Sequence, residues 1–554
     1  MNYKYALFAI LVFAFLVRVA GIGYGLPLAL HDDEQPFILG ALKMMQLKTV
    51  LPVLHSAEFE PILPYLPYAS YLYLPLFLIY IAGAAGWAFI TSSFPLAELQ
   101  NYLIADLSPF FLIARFLSVL AGVLTVYLVY RTAKNLFDER VGLIAALFLS
   151  TSVLHITLSM SARHWVWLPL VAVGVLAVLT QPSWSFRRRY LWAAAISGIG
   201  VGFNVLSATA PVIMIFYYIF VERGSFREAM RDRFSYGLAI LFVALAAIPI
   251  VLYPAGLGFQ RDISASEVKT LTGATQSFYE FLQPVAVSEP IMFGAAVLGL
   301  LALIIRRDRF SWLAGLFTVF YTLSFYFLFY YAHRFTLGLF PFMVILAGYG
   351  VNRIFKYSNI KIFKYARYSL LVIVIVFQVM VSLRLDYLAL RGDSKSLARA
   401  WVERNLDAGE KIIVAGKRMR LATTKDALIE QELIDPASIR KNELAETSFP
   451  VHPRGYKNFY ALNSDAVSND EFYDNLRDYI KENDYKYIVI TPSDLTASRQ
   501  KNFYDATRGA ELASFFGLPQ EVYSLTKAQY KGWVGNLFRI REFGPPTAIY
   551  RIKS

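Results

Sequence analysis

The chain contains no cysteine. Disulfides, thiolate metal sites and Cys nucleophiles are therefore excluded, and the redox compartment stays undecided. Charge is scarce too. Asp, Glu, Lys and Arg make up 17% of the 554 residues, against about 25% in ordinary soluble domains. Histidine occurs six times. The spacings of His-rich metal sites, phosphate loops and the G-x-S-x-G elbow are missing. What fills the space is apolar: 57% of residues are hydrophobic and 16% aromatic. That composition excludes disorder and argues against a soluble enzyme. Several apolar runs reach about 18 residues, the length that crosses a bilayer.

The first run extends from Tyr5 to about Gly21 with no A-x-A cleavage site, so it reads as a retained helix rather than a signal peptide. Further runs lie near 111–130, 141–158, 165–180, 191–207, 209–221, 236–253, 289–305, 311–330, 336–351 and 369–388. Short basic connectors, such as Arg187-Arg188-Arg189 and Arg306/Arg307/Arg309, alternate with connectors poor in Lys and Arg. The positive-inside rule makes the basic set cytoplasmic. Eleven spans then give a cytoplasmic N-terminus and an extracytoplasmic C-terminus. The formal charge of +13 becomes mostly a topology signal, not a nucleic-acid footprint. Residues 66–90 are long and apolar enough to cross, but a crossing there would invert every later Arg cluster. Their tyrosines with Pro67 and Pro75 suit the outer interface instead. Beyond Arg391 the sequence turns polar, with alternating helix and strand patterns such as KIIVAG and YKYIVIT. The expectation is a polytopic α-helical membrane domain over 1–389 and an extracytoplasmic α/β domain over 390–554.

The acidic triplet Asp32-Asp33-Glu34 follows the first run. A carboxylate there can act as general base on an acceptor hydroxyl, and its neighbours can tune or orient it. The structural alternative is a solvated turn. Arg18 and Arg115 lie near the outer ends of two runs, where guanidinium fits a lipid phosphate bidentately or merely snorkels. Two short turns, Ser161-Ala162-Arg163-His164-Trp165 and His333-Arg334-Phe335, put further Arg and His at the same face. With no nucleotide-binding loop, the energy for a transfer must arrive with the substrate, as in an activated lipid-linked donor. No ligand spacing demands a metal or cofactor, although carboxylates are compatible with a divalent cation.

Four stretches resemble the polytopic C-type (GT-C) glycosyltransferases that use polyprenyl-phosphate sugars, among them protein O-mannosyltransferases and lipid A aminoarabinose transferases. They are Arg18…Pro27…Asp33-Glu34, the segment from Tyr65-Leu-Pro67, Ala114-Arg115-Phe-Leu-Ser118…Gly122…Thr125 with Leu136-Phe137, and His333-Arg334-Phe335…Pro341…Gly348. The resemblance implies a GT-C fold and an inverting transfer from a polyprenyl-phosphate donor to a lipid, glycan or protein acceptor. It implies Asp33 as general base and Glu34 as its orienting partner. Asp32, Arg18, Tyr65, Arg115, Arg163, His164, His333 and Arg334 would bind substrate, and the loop 254–288 would close as a lid. One departure stands out: the 161–165 turn lacks the second Asp of many relatives, leaving His164 or Asp32 to substitute. The Trp-Trp-Asp motif of oligosaccharyltransferases is also missing, which argues against that branch. A flippase for lipid-linked sugar is the competing class, but the repeat symmetry of transporters is not seen. A non-catalytic homologue is the third reading.

Overall fold

The computed structural model describes residues 3–31, 34–55, 57–59, 70–90, 104–252, 271–328, 333–356, 361–449, 452, 455–517, 523–524, 529–530 and 534–553. Most of the described chain to Arg391 is helical. Helix α1 (Tyr3–Val19) is apolar with Arg18 in its last turn. Helix α2 (Gln35–Leu47) starts with proline in its first turn, where the missing N–H costs nothing, and ends at Lys48 in a left-handed cap. Helix α3 (Ser70–Ile90) rests on the start of α4 (Ser108–Leu136) through Tyr80, whose hydroxyl donates to the Phe110 carbonyl at 2.8 Å. Residues 66–69 of the expected interfacial segment lie outside the described residues.

Among the described residues, Ser108–Leu136, His333–Ile354 and Val372–Arg391 are long and apolar enough to cross a membrane, and two sharply bent helix pairs raise the number to five. Shorter apolar helices occupy Leu74–Ala84, His164–Leu179, Val205–Val221 and Arg233–Pro249. The eleven spans expected from the sequence are not all found among the described residues.

One bent pair is α5 (Glu139–Ser150) and α6 (Val153–Ser159), which meet at 63°. The cause is local. Ser150 and Thr151 hydroxyls both bond back to the Leu147 carbonyl, competing with the helix ladder. Ser152 then caps α6 by accepting the His155 N–H. Helix α7 (Trp167–Leu179) follows after the 161–166 turn. Helices α8 (Pro290–Ile305) and α9 (Phe340–Lys356) cross backbone to backbone. A Cβ on Gly299 would collide with the Leu346 carbonyl, and one on Gly350 with the Ala295 carbonyl.

After α10 (Lys361–Arg391), helix α11 (Ser394–Asn405) is capped by Asp393 and leads into a five-stranded mixed sheet. Its strands are β1 (Lys411–Ala415), β2 (Tyr460–Asn463), β3 (Tyr487–Ile490), β4 (Glu511–Phe516) and β7 (Thr547–Arg551), in the order β2-β1-β3-β7-β4. The pairs β1–β2 and β1–β3 are parallel, whereas β7 runs antiparallel to both neighbours. Strands β5 (Tyr523–Ser524) and β6 (Gln529–Tyr530) form a separate two-stranded pair. The sheet's core is not confined to residues after 390: Leu28 and Leu30 join Val402, Ile412, Val414 and Ile549 in one apolar cluster.

Candidate active site

The loop joining α1 to α2 is held at several of its described residues. Tyr24 donates to Asp393 at 2.8 Å, and Leu28 and Leu30 insert into the sheet's core. Arg418, in the turn after β1, donates through Nη1 to the carbonyls of Ala29, Leu30 and His31 at 3.0, 3.2 and 2.8 Å. Asp465 accepts the Arg418 backbone N–H and so steadies that turn. The candidate base Asp33, its neighbour Asp32, and Tyr65 lie outside the described residues.

Glu34 is buried with both oxygens engaged. Oε1 accepts from Arg115 Nε at 3.0 Å and from the Ala162 N–H at 2.6 Å; Oε2 accepts from Arg115 Nη2 at 2.7 Å. Burial alone would push this carboxyl up, but the guanidinium beside it, with smaller help from His31 and the Ala162 N–H, holds it below its ordinary value. Arg115 completes the clamp by donating Nη1 to the carbonyls of Ile22 and Tyr24 at 2.7 and 2.8 Å. Its fork is thus directed at protein groups. One ion pair joins the first loop, α4 and the 161–164 turn.

That turn carries the cations. Arg163 and His164 are both buried. The charges of Arg163 and Arg334 both reach His164. Arg334 lies over the rings of Trp165 and Phe335 at 5.1 and 5.4 Å, and His164 packs on Trp165 at 4.2 Å. His333 faces the Ser288 hydroxyl across 3.4 Å. The structure therefore brings Glu34, Arg115, Arg163, His164, His333 and Arg334 into one neighbourhood.

Arg18 has a different setting. It donates to the carbonyls of Ala14, Leu149 and Ser150 and meets His155 Nδ1 at 2.8 Å. Leu149 and Ser150 end α5, so Arg18 occupies the carbonyls that the helix break exposes. Glu289 accepts from the Ser152 hydroxyl and the Leu154 N–H at the other side of that break.

Sequence reasoning missed Tyr24, Arg418 and Glu289. Arg418 acts on partners 387–389 positions away, and nothing local announces that. Among the described residues, no group of three or more His, Cys, Asp or Glu is placed to hold a metal ion.

Residues 102–253, which contain Arg115, Arg163 and His164, match the family model described as dolichyl-phosphate-mannose-protein mannosyltransferase. Dolichyl-phosphooligosaccharide-protein glycotransferase 3 of Archaeoglobus fulgidus is 27% identical over 216 residues. The match spans 35% of this chain and only 23% of that protein's length. Among solved structures, the oligosaccharyltransferase AglB of Archaeoglobus fulgidus, in complex with an inhibitory peptide and a dolichol-phosphate, is similar at a TM-score of 0.44 and 13% identity. The likeness covers 88% of this chain and 70% of that one. ArnT of Cupriavidus metallidurans, bound to undecaprenyl phosphate, is similar at a TM-score of 0.39 and 13% identity, covering 79% and 84%. Over residues 102–253 the chain is thus similar to dolichyl-phosphate-mannose-protein mannosyltransferases, and it spans about a quarter of the length of the curated relative it matches.

Proposed function

We propose that the protein moves a sugar from a polyprenyl-phosphate donor to an acceptor at the outer face of a membrane. In this reading eleven helices cross, the N-terminus is cytoplasmic, and residues 390–554 form the extracytoplasmic α/β domain. Asp33 takes the proton of the acceptor's hydroxyl or amine as general base. The acceptor's lone pair forms a bond to the donor's anomeric carbon. The carbon–oxygen bond to the lipid phosphate breaks, its electron pair leaves with the phosphate, and the anomeric centre inverts. Such a leaving group needs no acid; it needs positive charge, which Arg163 and Arg334 supply. His164, His333, Asp32 and Tyr65 complete the substrate contacts; residues 254–270 of the expected lid lie outside the described residues. Glu34 acts through position, since its oxygens already hold Arg115 and the Ala162 N–H.

The observation that carries this reading is the buried Glu34 clamp. It ties Glu34, the sequence neighbour of the proposed base, to the turn bearing Arg163 and His164, which supports base and cations acting at one site. The test is transfer from radiolabelled polyprenyl-phosphate sugars to total cell-envelope acceptors by purified protein. Asp33→Asn is expected to lower the rate by 100-fold or more, within the range for loss of a general base of about 10²–10⁴. Equal transfer by wild type and variant would remove Asp33 from the mechanism.

A further inference from the structure

A cavity of about 610 Å³ lies where the first loop, the start of α4 and the C-terminal sheet meet. That volume suits a one- or two-sugar headgroup, within the roughly 300–1,000 Å³ common for ligand sites. Ala29 and Gln35, the residues flanking the acidic stretch, both line it. One wall is apolar, with Leu39 and Phe111; the opposite wall is charged.

The charged wall holds five cations and four carboxylates, but they are not equally engaged. Arg440 bridges Asp465 at 3.0 Å and Glu443 at 3.9 Å. Glu446 faces His452 at 3.8 Å, and Asp106 accepts the Ser108 N–H. Arg418 is directed at the first loop. The other three cations form no ion pair among the described residues, although the charges of Glu403 and Glu446 reach Arg399. Among the described residues, the side chains of Lys417 and Arg420 make no hydrogen bond or ion pair, although the charge of Arg420 reaches Glu443. Arg399 stacks on the Tyr456 ring at 4.0 Å, and its buried Nε has no hydrogen-bond partner. Asp465 Oδ1, in the same wall, is also buried without a donor. Leaving the buried Arg399 Nε and Asp465 Oδ1 unmatched is costly unless a ligand supplies the missing partners, while exposed Lys417 and half-buried Arg420 can meet a ligand from solvent.

We propose that this cavity is the acceptor subsite and takes an anionic sugar headgroup, one carrying a phosphate or carboxylate. Lys417, Arg420 and Arg399 receive the anion, where guanidinium offers paired donors to a planar or tetrahedral oxyanion. Asp465 Oδ1 accepts a sugar hydroxyl. The assignment as acceptor subsite rests on the transferase reading above; anion binding itself does not.

Binding of glucose 6-phosphate, glucuronate and glucose to the full chain in phosphatidylcholine nanodiscs, measured by titration calorimetry, tests the subsite without turnover. The two anionic sugars are expected to bind at least tenfold tighter than glucose. A Lys417→Gln/Arg420→Gln variant that keeps the wild-type melting temperature is expected to lose that advantage, and Arg420→Lys to retain part of it. Equal binding of charged and neutral sugars, or an unchanged advantage in the folded double variant, would overturn the proposal. Repeating the titration in discs containing phosphatidic acid separates the sources. Competition with glucose 6-phosphate supports a membrane-lipid phosphate, and undiminished binding supports an anionic glycan outside the bilayer. Transfer by Asp33→Asn is measured separately from this binding. Normal transfer by that variant would sink the transferase mechanism while leaving the anion site to be judged by calorimetry.

Discussion

Glu34 and Arg115 show how a charge pair becomes useful when buried. Removing either partner would strand the other away from water, a loss of about 3–5 kcal/mol for buried pairs. Both residues are visible in the sequence as charges at the ends of apolar runs. Their pairing across 81 positions is not, because it depends on how the loop and α4 meet. His31 is the companion case. Burial chiefly, with the charges of Arg115, Arg163 and Arg418 and against that of Glu34, pushes its imidazole down to about 3. Below pH 6.5 an unfolded chain protonates this histidine and the folded protein does not. Stability therefore falls as pH drops from 6.5 towards 3, and is unaffected by this group above that window. Wild type in detergent is expected to lose melting temperature between pH 6.5 and 4 more steeply than His31→Asn. Parallel profiles would show that His31 is not the group responsible.

At the scale of elements, the α5–α6 break is governed by two charges of opposite sign. Arg18 serves the carbonyl end and Glu289 the amide end, each matched to the helix dipole it meets. The sequence displays the ingredients, Arg18 in an apolar run and the Ser150-Thr151-Ser152 triplet, but reads 141–158 as one continuous span. Hydroxyl back-bonding and a distant arginine turn it into two helices, and the second delivers the 161–164 turn to Glu34. Arg18→Met would leave the Leu149 and Ser150 carbonyls without their donors. At about 1–3 kcal/mol per unsatisfied buried group, a destabilisation of roughly 2–6 kcal/mol is expected. Thermal unfolding in detergent would register it; an unchanged midpoint would mean that the break holds without Arg18. The apolar runs and the strands β1 and β3 were legible because periodicity and hydrophobicity are local. The bend was not, because its stabilising partners come from α1 and from residue 289.

At the scale of the molecule, the first loop belongs to two bodies at once. A composition shift after Arg391 marks the start of a polar segment, yet Leu28 and Leu30 share that segment's core and Arg418 grips the backbone between them. No single-chain pattern reports such a contact. Arg418 thus holds the backbone of residues 29–31, just before the acidic triplet. Arg418→Gln is expected to lower the kcat of transfer about tenfold or more, since small misplacements of reacting groups are costly, with the donor KM little changed. A loss confined to KM would assign Arg418 to substrate binding instead. The order of synthesis adds a consequence. Strand β7 lies between β3 and β4, so the sheet stays split until residues 547–551 exist. At roughly 5–20 residues per second, on the order of a minute separates the birth of Leu28 and Leu30 from that moment. Throughout it their greasy side chains lack part of the lining they will share with Ile549. A nascent chain therefore lacks part of the packing behind this loop until the last strand slots home.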